Sequence, residues 1–143
     1  MVKIDLQYQG DLRVAAKHAP SGTRLHTDAP LDNQGKGESF SPTDLVATGL
    51  GSCMATIMGI VSRKHGIDLK GMEIRVEKIM SQEGPRRIAA LEVDFQIPVR
   101  PDDEKVRLLE EAAHTCPVAL SIHPDIQVRT RFRWGNDAPS TGR

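Results

Sequence analysis

The stretch SPTDLVATGLGSCMATIMGIVS, residues 41–62, decides the fold because it joins a strong helix start to a long uncharged run. Ser41 is a suitable N-cap, and Pro42 suits the first helical position. Asp44 stands where the carboxylate of a capping box belongs. The pattern predicts a long helix that ends at Gly66, the residue type that most often terminates helices.

The uncharged run within this helix, residues 45–61, is close to the lower length limit for a membrane span. Small and polar residues interrupt it, and no cluster of Lys and Arg on one side sets an orientation, which argues against a membrane helix. A helix that is apolar nearly all round is predicted to be buried on all sides. We expect Gly49, Gly51 and Gly59 to let the helix of a second copy approach closely, with coverage by the sheet alone as the alternative.

The rest of the chain reads as strands and shorter helices. The expected order is a hairpin, a short strand, a Pro- and Gly-rich loop, the long helix, a second hairpin, two helices and a last strand, over residues 2–8, 12–16, 23–27, 28–40, 41–66, 72–99, 101–113, 117–122 and 126–134. The sequence therefore predicts an α+β fold in a single domain, 1–143, with a frayed tail over 135–143.

Charge and composition exclude several classes of function. Lys plus Arg and Asp plus Glu both number 19, so the chain has no net charge to attract nucleic acid or an anionic membrane. The first residues lack the pattern of a secretory signal, and we expect a cytoplasmic protein. Gly-rich nucleotide motifs and metal-ligand spacings such as CxxC are absent from the sequence, so we expect no cofactor and no metal.

The two cysteines, Cys53 and Cys116, are in contexts that favour a reacting pair. A domain of this length can bury enough surface to fold without a disulfide. Cys116 directly precedes Pro117, at a predicted helix start, where the helix dipole favours a thiolate, and Cys53 can serve as its partner in a dry core. The alternatives are an inert buried thiol at Cys53 and a small helix-start residue at Cys116.

The cysteine contexts also carry a family resemblance. The run GKGESFSPTDLVATGLGSCMATIM, residues 35–58, together with HTCPVALSI, residues 114–122, resembles the OsmC/Ohr family of thiol-dependent peroxidases. The resemblance implies an OsmC-like fold, with curved antiparallel sheets around central helices in an intertwined homodimer. It also implies reduction of organic hydroperoxides and hydrogen peroxide in oxidative or osmotic stress defence, with Cys53 attacking the peroxide and Cys116 resolving. The implied partner is a dithiol reductant, including a lipoyl-bearing protein.

The groups that would assist the thiol are less defined by the sequence. The matching arginine of the family lies in the N-terminal hairpin, where this chain has Arg13, with Arg24 as the reserve; a solvated strand-edge charge is the alternative for Arg13. The family's glutamate ten residues before the reactive cysteine is replaced here by Thr43, and Asp44 follows. Nine residues of helix separate Asp44 from Cys53, about 13–14 Å, so the acid comes from the other protomer or from Glu38.

Two rival functions come from other classes. A cysteine hydrolase needs a histidine paired with its nucleophile and an oxyanion hole, and no local signature in the sequence supports one. A non-catalytic stress-related binding protein on the same fold is the alternative to the peroxidase, because a fold does not fix a function.

Overall fold

The structure, a computed structural model, describes residues 1–136 and 140–142. Its internal contacts divide the chain into two compact units, Met1–Val46 and Ala47–Arg143. The elements confirm the α+β prediction and follow the expected order along the chain. The single domain predicted from the sequence stays a prediction.

The first unit is a three-stranded antiparallel sheet of β1 (Ile4–Gly10), β2 (Arg13–His18) and β3 (Arg24–Asp28), in that order. The predicted hairpin is confirmed. Its tight turn holds Asp11 and Leu12 at φ values of 52° and 62°, in the left-handed region. The turn places Arg13 at the start of β2, opposite Asp28 in the register of β2 and β3.

The loop after β3 is compact, and it contains a 3-10 turn over Leu31–Asn33. Its backbone folds back on itself, with Gly35 N–H donating to Pro30 O at 3.0 Å and Gly37 N–H donating to Ala29 O at 3.1 Å. A Cβ at Gly35 would lie 1.7 Å from Ala29 O, so a side chain there is incompatible with this path. The loop geometry thereby fixes the position of Glu38.

Helix α1 (Pro42–Lys64) begins with the predicted capping box. The Ser41 hydroxyl accepts a hydrogen bond from Asp44 N–H at 3.1 Å, and the Asp44 carboxylate accepts one from Ser41 N–H at 2.8 Å. Each side chain satisfies a backbone donor that the helix start leaves without a partner. Gly66, at a φ of 66°, follows the last turn, as predicted.

The second unit contains a four-stranded sheet in the order β4 (Glu73–Met80), β5 (Ile88–Ile97), β6 (Gln127–Trp134) and β7 (Ser140–Gly142). The second hairpin, β4 and β5, is confirmed. Strand β6 pairs with β5 in parallel, and the crossover between them carries α2 (Asp103–His114) and α3 (Pro117–Ser121). Where the sequence predicted a frayed tail, residues 135 and 136 form a turn and β7 pairs with β6; residues 137–139 and 143 of that tail lie outside the described residues.

The core of the second unit lies between α1 and α2 on one side and the inward face of the sheet on the other. Phe95 and Phe132, opposite each other on β5 and β6, stack with ring centroids 4.7 Å apart. The core members contributed by α1 are Ala47, Leu50, Met54 and Met58. Helix α1 is long and apolar enough, by length and composition, to cross a membrane, but these four residues are buried against the rest of the unit.

The structure corrects one expectation about α1. Gly51 was expected to accommodate a second helix, but it faces β4, where an added Cβ would lie 2.7 Å from Val76 Cγ2 and 3.4 Å from Ile74 Cγ2. The sheet of the same chain therefore occupies this position. Added Cβ atoms at Gly49 and Gly59 would meet no atom of the described chain within 4 Å.

We expect Gly51→Ala to lower the free energy of unfolding by about 1–3 kcal/mol, because the β-branched side chain of Val76 cannot move easily to make room for the added methyl group. The gain in helix propensity, about 1 kcal/mol, offsets part of this loss. Denaturant unfolding of Gly51→Ala, Val76→Ala and the double variant tests the contact. If Val76 causes the clash, the double variant loses less stability than the sum of the two single losses. Simple additivity would contradict the assignment.

Candidate active site

The two cysteines lie together in the second unit. Cys116 is fully buried in the core, and Cys53 is half-buried and packs against the same cluster from α1. The sequence predicted a dry partner thiol at Cys53 and a thiolate at Cys116. The burial is the reverse, since Cys116 is the thiol that is withdrawn from solvent.

Cys116 is the N-cap of α3, as predicted. Its sulfur accepts a hydrogen bond from Ala119 N–H at 3.3 Å. Burial nevertheless raises the pKa of Cys116, and this effect exceeds the opposing effect of the Ala119 hydrogen bond. A hydrogen-bond interaction with Cys53 and the charge of Cys53 raise the Cys116 pKa further. The expectation that the helix start favours a Cys116 thiolate is therefore wrong, because desolvation disfavours the charged form more strongly.

The helix that leads to Cys116 is held to the sheet by two polar contacts. Trp134 Nε1 donates to Glu110 Oε1 at 2.8 Å, and one turn further along α2 His114 Nε2 lies 3.2 Å from Thr130 Oγ1. The His114 ring also meets the Phe132 ring edge-on. Burial lowers the pKa of His114, which favours the neutral ring. These contacts fix the end of α2 two residues before Cys116.

The predicted arginine lies in the first unit, where it contacts two carboxylates. The Arg13 guanidinium forms an ion pair and a hydrogen bond with Glu38, and it lies 3.6 Å from Asp28 Oδ2. The hydrogen bond with Glu38 and then the charges of Glu38 and Asp28 raise the pKa of Arg13. The structure thus brings together Arg13 and Glu38, two residues that the sequence proposed independently.

The other predicted residues have different surroundings. Asp44 forms the capping box with Ser41, so its carboxylate has a structural contact at the start of α1. The reserve candidate Arg24 is exposed on β3, opposite Lys17. Among residues 1–136 and 140–142, His, Cys, Asp and Glu side chains form no group of three or more that could hold a metal ion.

Sequence reasoning missed Asp28. Its carboxylate is buried and accepts a hydrogen bond from Glu38 N–H at 3.0 Å, in addition to its proximity to Arg13. The signal was present in the hairpin pattern, since a third strand paired with β2 brings the residue at its end opposite Arg13. The loop predicted from the sequence, 28–40, includes this residue.

Comparison with known proteins places the chain among relatives. A family model described as OsmC-like protein matches residues 35–131. A solved structure from Psychrobacter arcticus 273-4, provisionally described as an osmotic stress induced and detoxification response protein, is 46% identical, with a TM-score of 0.88 over 93% of this chain and 96% of that chain. No curated protein sequence matches the chain.

More distant structures share the fold alone. An organic hydroperoxide resistance protein from Legionella pneumophila is 16% identical, with a TM-score of 0.74 over 92% of this chain and 96% of that chain. One from Elizabethkingia anophelis is 18% identical, with a TM-score of 0.75 over 94% of this chain and 96% of that chain.

The difference in burial between Cys53 and Cys116 predicts that the two thiols are alkylated at different rates. At about pH 8, near the ordinary thiol pKa, iodoacetamide should modify Cys53 at least ~10-fold faster than Cys116, because Cys116 is both buried and protonated. Peptide mass spectrometry at increasing times measures the two rates. In a denaturant, as the control, the rates should become similar. Faster modification of Cys116 in the folded protein would contradict the site as described.

Proposed function

The chain belongs to the OsmC-like protein family, and from that premise we propose that it is a cysteine-based peroxidase acting in oxidative or osmotic stress defence. Its substrates are organic hydroperoxides and hydrogen peroxide. The observation that carries the proposal is the pairing of a half-buried thiol, Cys53, with a buried thiol, Cys116, whose pKa Cys53 helps to raise. Such a pair suits a cycle in which one sulfur reacts with peroxide and the other then forms a disulfide with it.

The chemistry proceeds in two steps. The Cys53 thiolate attacks the terminal peroxide oxygen, an S–O bond forms, the O–O bond breaks, and the alkoxide takes a proton to leave as an alcohol. Cys116 then attacks the Cys53 sulfenic acid, an S–S bond forms, and water leaves. An external dithiol, such as a lipoyl group on a partner protein, reduces the disulfide through thiol exchange. One peroxide and one dithiol are consumed in each cycle.

The raised pKa of Cys116 supports this division of roles. A thiolate is the nucleophile toward peroxide, and a thiol held protonated by burial is the poorer first attacker. The charge of Cys53 disfavours ionisation of Cys116, so the pair favours a single thiolate. Once Cys53 is oxidised to the neutral sulfenic acid, that contribution of its charge is removed, and Cys116 ionises more readily for the second step.

Arg13 is the group we assign to orienting the peroxide and stabilising the thiolate. Its planar fork can bind an oxygen and a carboxylate at once, and Glu38 already contacts it. Between the two acids considered from sequence, this contact favours Glu38 over Asp44, which forms the helix cap. In this assignment Arg13 and Glu38 assist the reaction, and neither acts as a nucleophile.

The active form in this proposal is a homodimer. Strand β1 exposes a row of apolar side chains on one face of its sheet, with Ile4, Leu6 and Tyr8 at 58%, 66% and 64% exposure. An exposed row of this kind marks an interaction surface. The open space above Gly49 and Gly59 on α1 also favours close approach of a second copy. In the proposed intertwined homodimer, the second copy covers these surfaces.

Two unbonded thiols suit a reducing compartment, so the proposal places the protein in the cytoplasm. The alternative is a non-catalytic stress-related binding protein on the same fold. Consumption of peroxide with a dithiol distinguishes the two functions, since a binding protein would leave the peroxide intact and both thiols reduced.

We expect Cys53→Ser to abolish dithiol-dependent peroxide consumption, because a hydroxyl cannot replace the thiolate nucleophile. Cys116→Ser should undergo one stoichiometric oxidation and accumulate a sulfenic acid at Cys53, detectable by dimedone labelling and mass spectrometry. Circular dichroism checks that both variants fold. Sustained turnover by Cys53→Ser, or first oxidation at Cys116 in the wild-type protein, would refute the assigned roles.

The proposed dimer interface is tested by placing a charge in the exposed apolar row of β1. Light scattering at about 10 μM should give a dimer for the wild-type protein, and Leu6→Glu should raise its dissociation constant at least ~10-fold by burying a charge. Gln7→Glu is the matched control, because the neighbouring side chain lies on the opposite face of β1. A wild-type monomer with full activity, or an equal effect of both variants, would contradict the proposed interface.

A further inference from the structure

Asp28, the last residue of β3, carries a carboxylate that is almost completely removed from solvent, at 1% exposure. Its Oδ2 atom accepts a hydrogen bond from Glu38 N–H at 3.0 Å and lies 3.6 Å from the Arg13 guanidinium. Its Oδ1 atom is buried and has no hydrogen-bond partner within the described part of the chain. The side chain is therefore only half satisfied.

A half-satisfied buried carboxylate is unfavourable for folding. Transfer of a charge out of water costs free energy that only a full set of hydrogen bonds and opposite charges recovers. A neutral side chain of the same shape at Asp28 would avoid most of that cost. The charge at this position is therefore better explained by its effect on neighbouring groups than by a contribution to stability.

Those neighbours are the guanidinium and the acid assigned to the thiol chemistry. Glu38 is exposed, and an exposed ion pair alone holds an arginine weakly, because both side chains rotate and water screens the charges. Asp28 differs because burial fixes its carboxylate. It lies beside Arg13 from one direction and binds the backbone of Glu38 from another. A single immobile group thus constrains both partners of the exposed pair.

We propose that Asp28 is a positioning residue for peroxide reduction: it holds Arg13 and the Glu38 backbone in one geometry and acts on the reaction through Arg13. The inference rests on the proposed peroxidase function and deepens it. Asp28 contacts neither sulfur nor peroxide in this role. Its effect is confined to the orientation of the guanidinium, whose planar fork is useful only in a fixed direction.

Asp28→Asn tests the role, because it keeps the shape and an oxygen that can accept from Glu38 N–H but removes the charge facing Arg13. We expect kcat/KM for cumene hydroperoxide with dithiothreitol to fall ~10-fold, while the melting temperature stays equal or rises. In an Arg13→Ala background, the same substitution should change kcat/KM less than ~2-fold, since no guanidinium remains to be oriented.

Asp11→Asn is the matched control, because exposed Asp11 also acts on Arg13 through its charge. We expect kcat/KM of this variant to lie within ~2-fold of the wild-type value.

Three results would overturn the proposal. Asp28→Asn could retain the wild-type rate, or its effect could multiply fully with that of Arg13→Ala. The melting temperature could also fall together with the rate, with faster trypsin cleavage after Lys36, which would assign the loss to an opened loop. An inactive wild-type protein would remove the proposed function itself, and this outcome is recognised before any variant is measured.

Discussion

The close approach of helix α1 to strand β4 is the constraint on which the second unit depends. At Gly51 the helix has no side chain, and the methyl group of Val76 occupies the space that a Cβ would need. This contact lets Leu50 and Met54, on either side of the same helical face, bury fully in the core. It also sets the height of Cys53 above the sheet, and hence its proximity to the start of α3. The thiol pair is thus a consequence of backbone packing as well as of the two cysteines.

The outer face of the second sheet has a different organisation, based on charge. Arg129 lies 2.7 Å from Glu92, and Arg131 lies 2.7 Å from Asp94, across the parallel strands β5 and β6. Arg129 and Arg131 therefore face acids on β5, whereas Arg133, the third arginine of β6, lies opposite Gln96. On this face, as in the sequence as a whole, positive charges are balanced by negative ones. Because the arginines of these pairs are exposed, the pairs contribute little stability.

Much of the fold could be predicted because local patterns determine it. The alternation of apolar residues located both hairpins, and Ser41 with Asp44 located the start of α1 through a contact between residues three apart. The partner of Gly51 could not be predicted, since periodicity shows which residues face inward but leaves open what covers them. The parallel pairing of β5 with β6 could not be predicted either, because the two strands are joined by a long crossover and local patterns do not show which strands become neighbours. The approach of Arg13 to Asp28 required the register of two strands.

The crossover between β5 and β6 has a consequence for the order of events during synthesis. Cys116 lies inside this connection, between α2 and α3, and parallel strands can pair only after such a connection has folded back over the sheet. Cys53 is therefore synthesised well before its partner has a place to occupy. In a nascent chain, the two thiols are separated by a long flexible loop whose closure is entropically unfavourable. The two thiols are thus brought together only when the fold is completed.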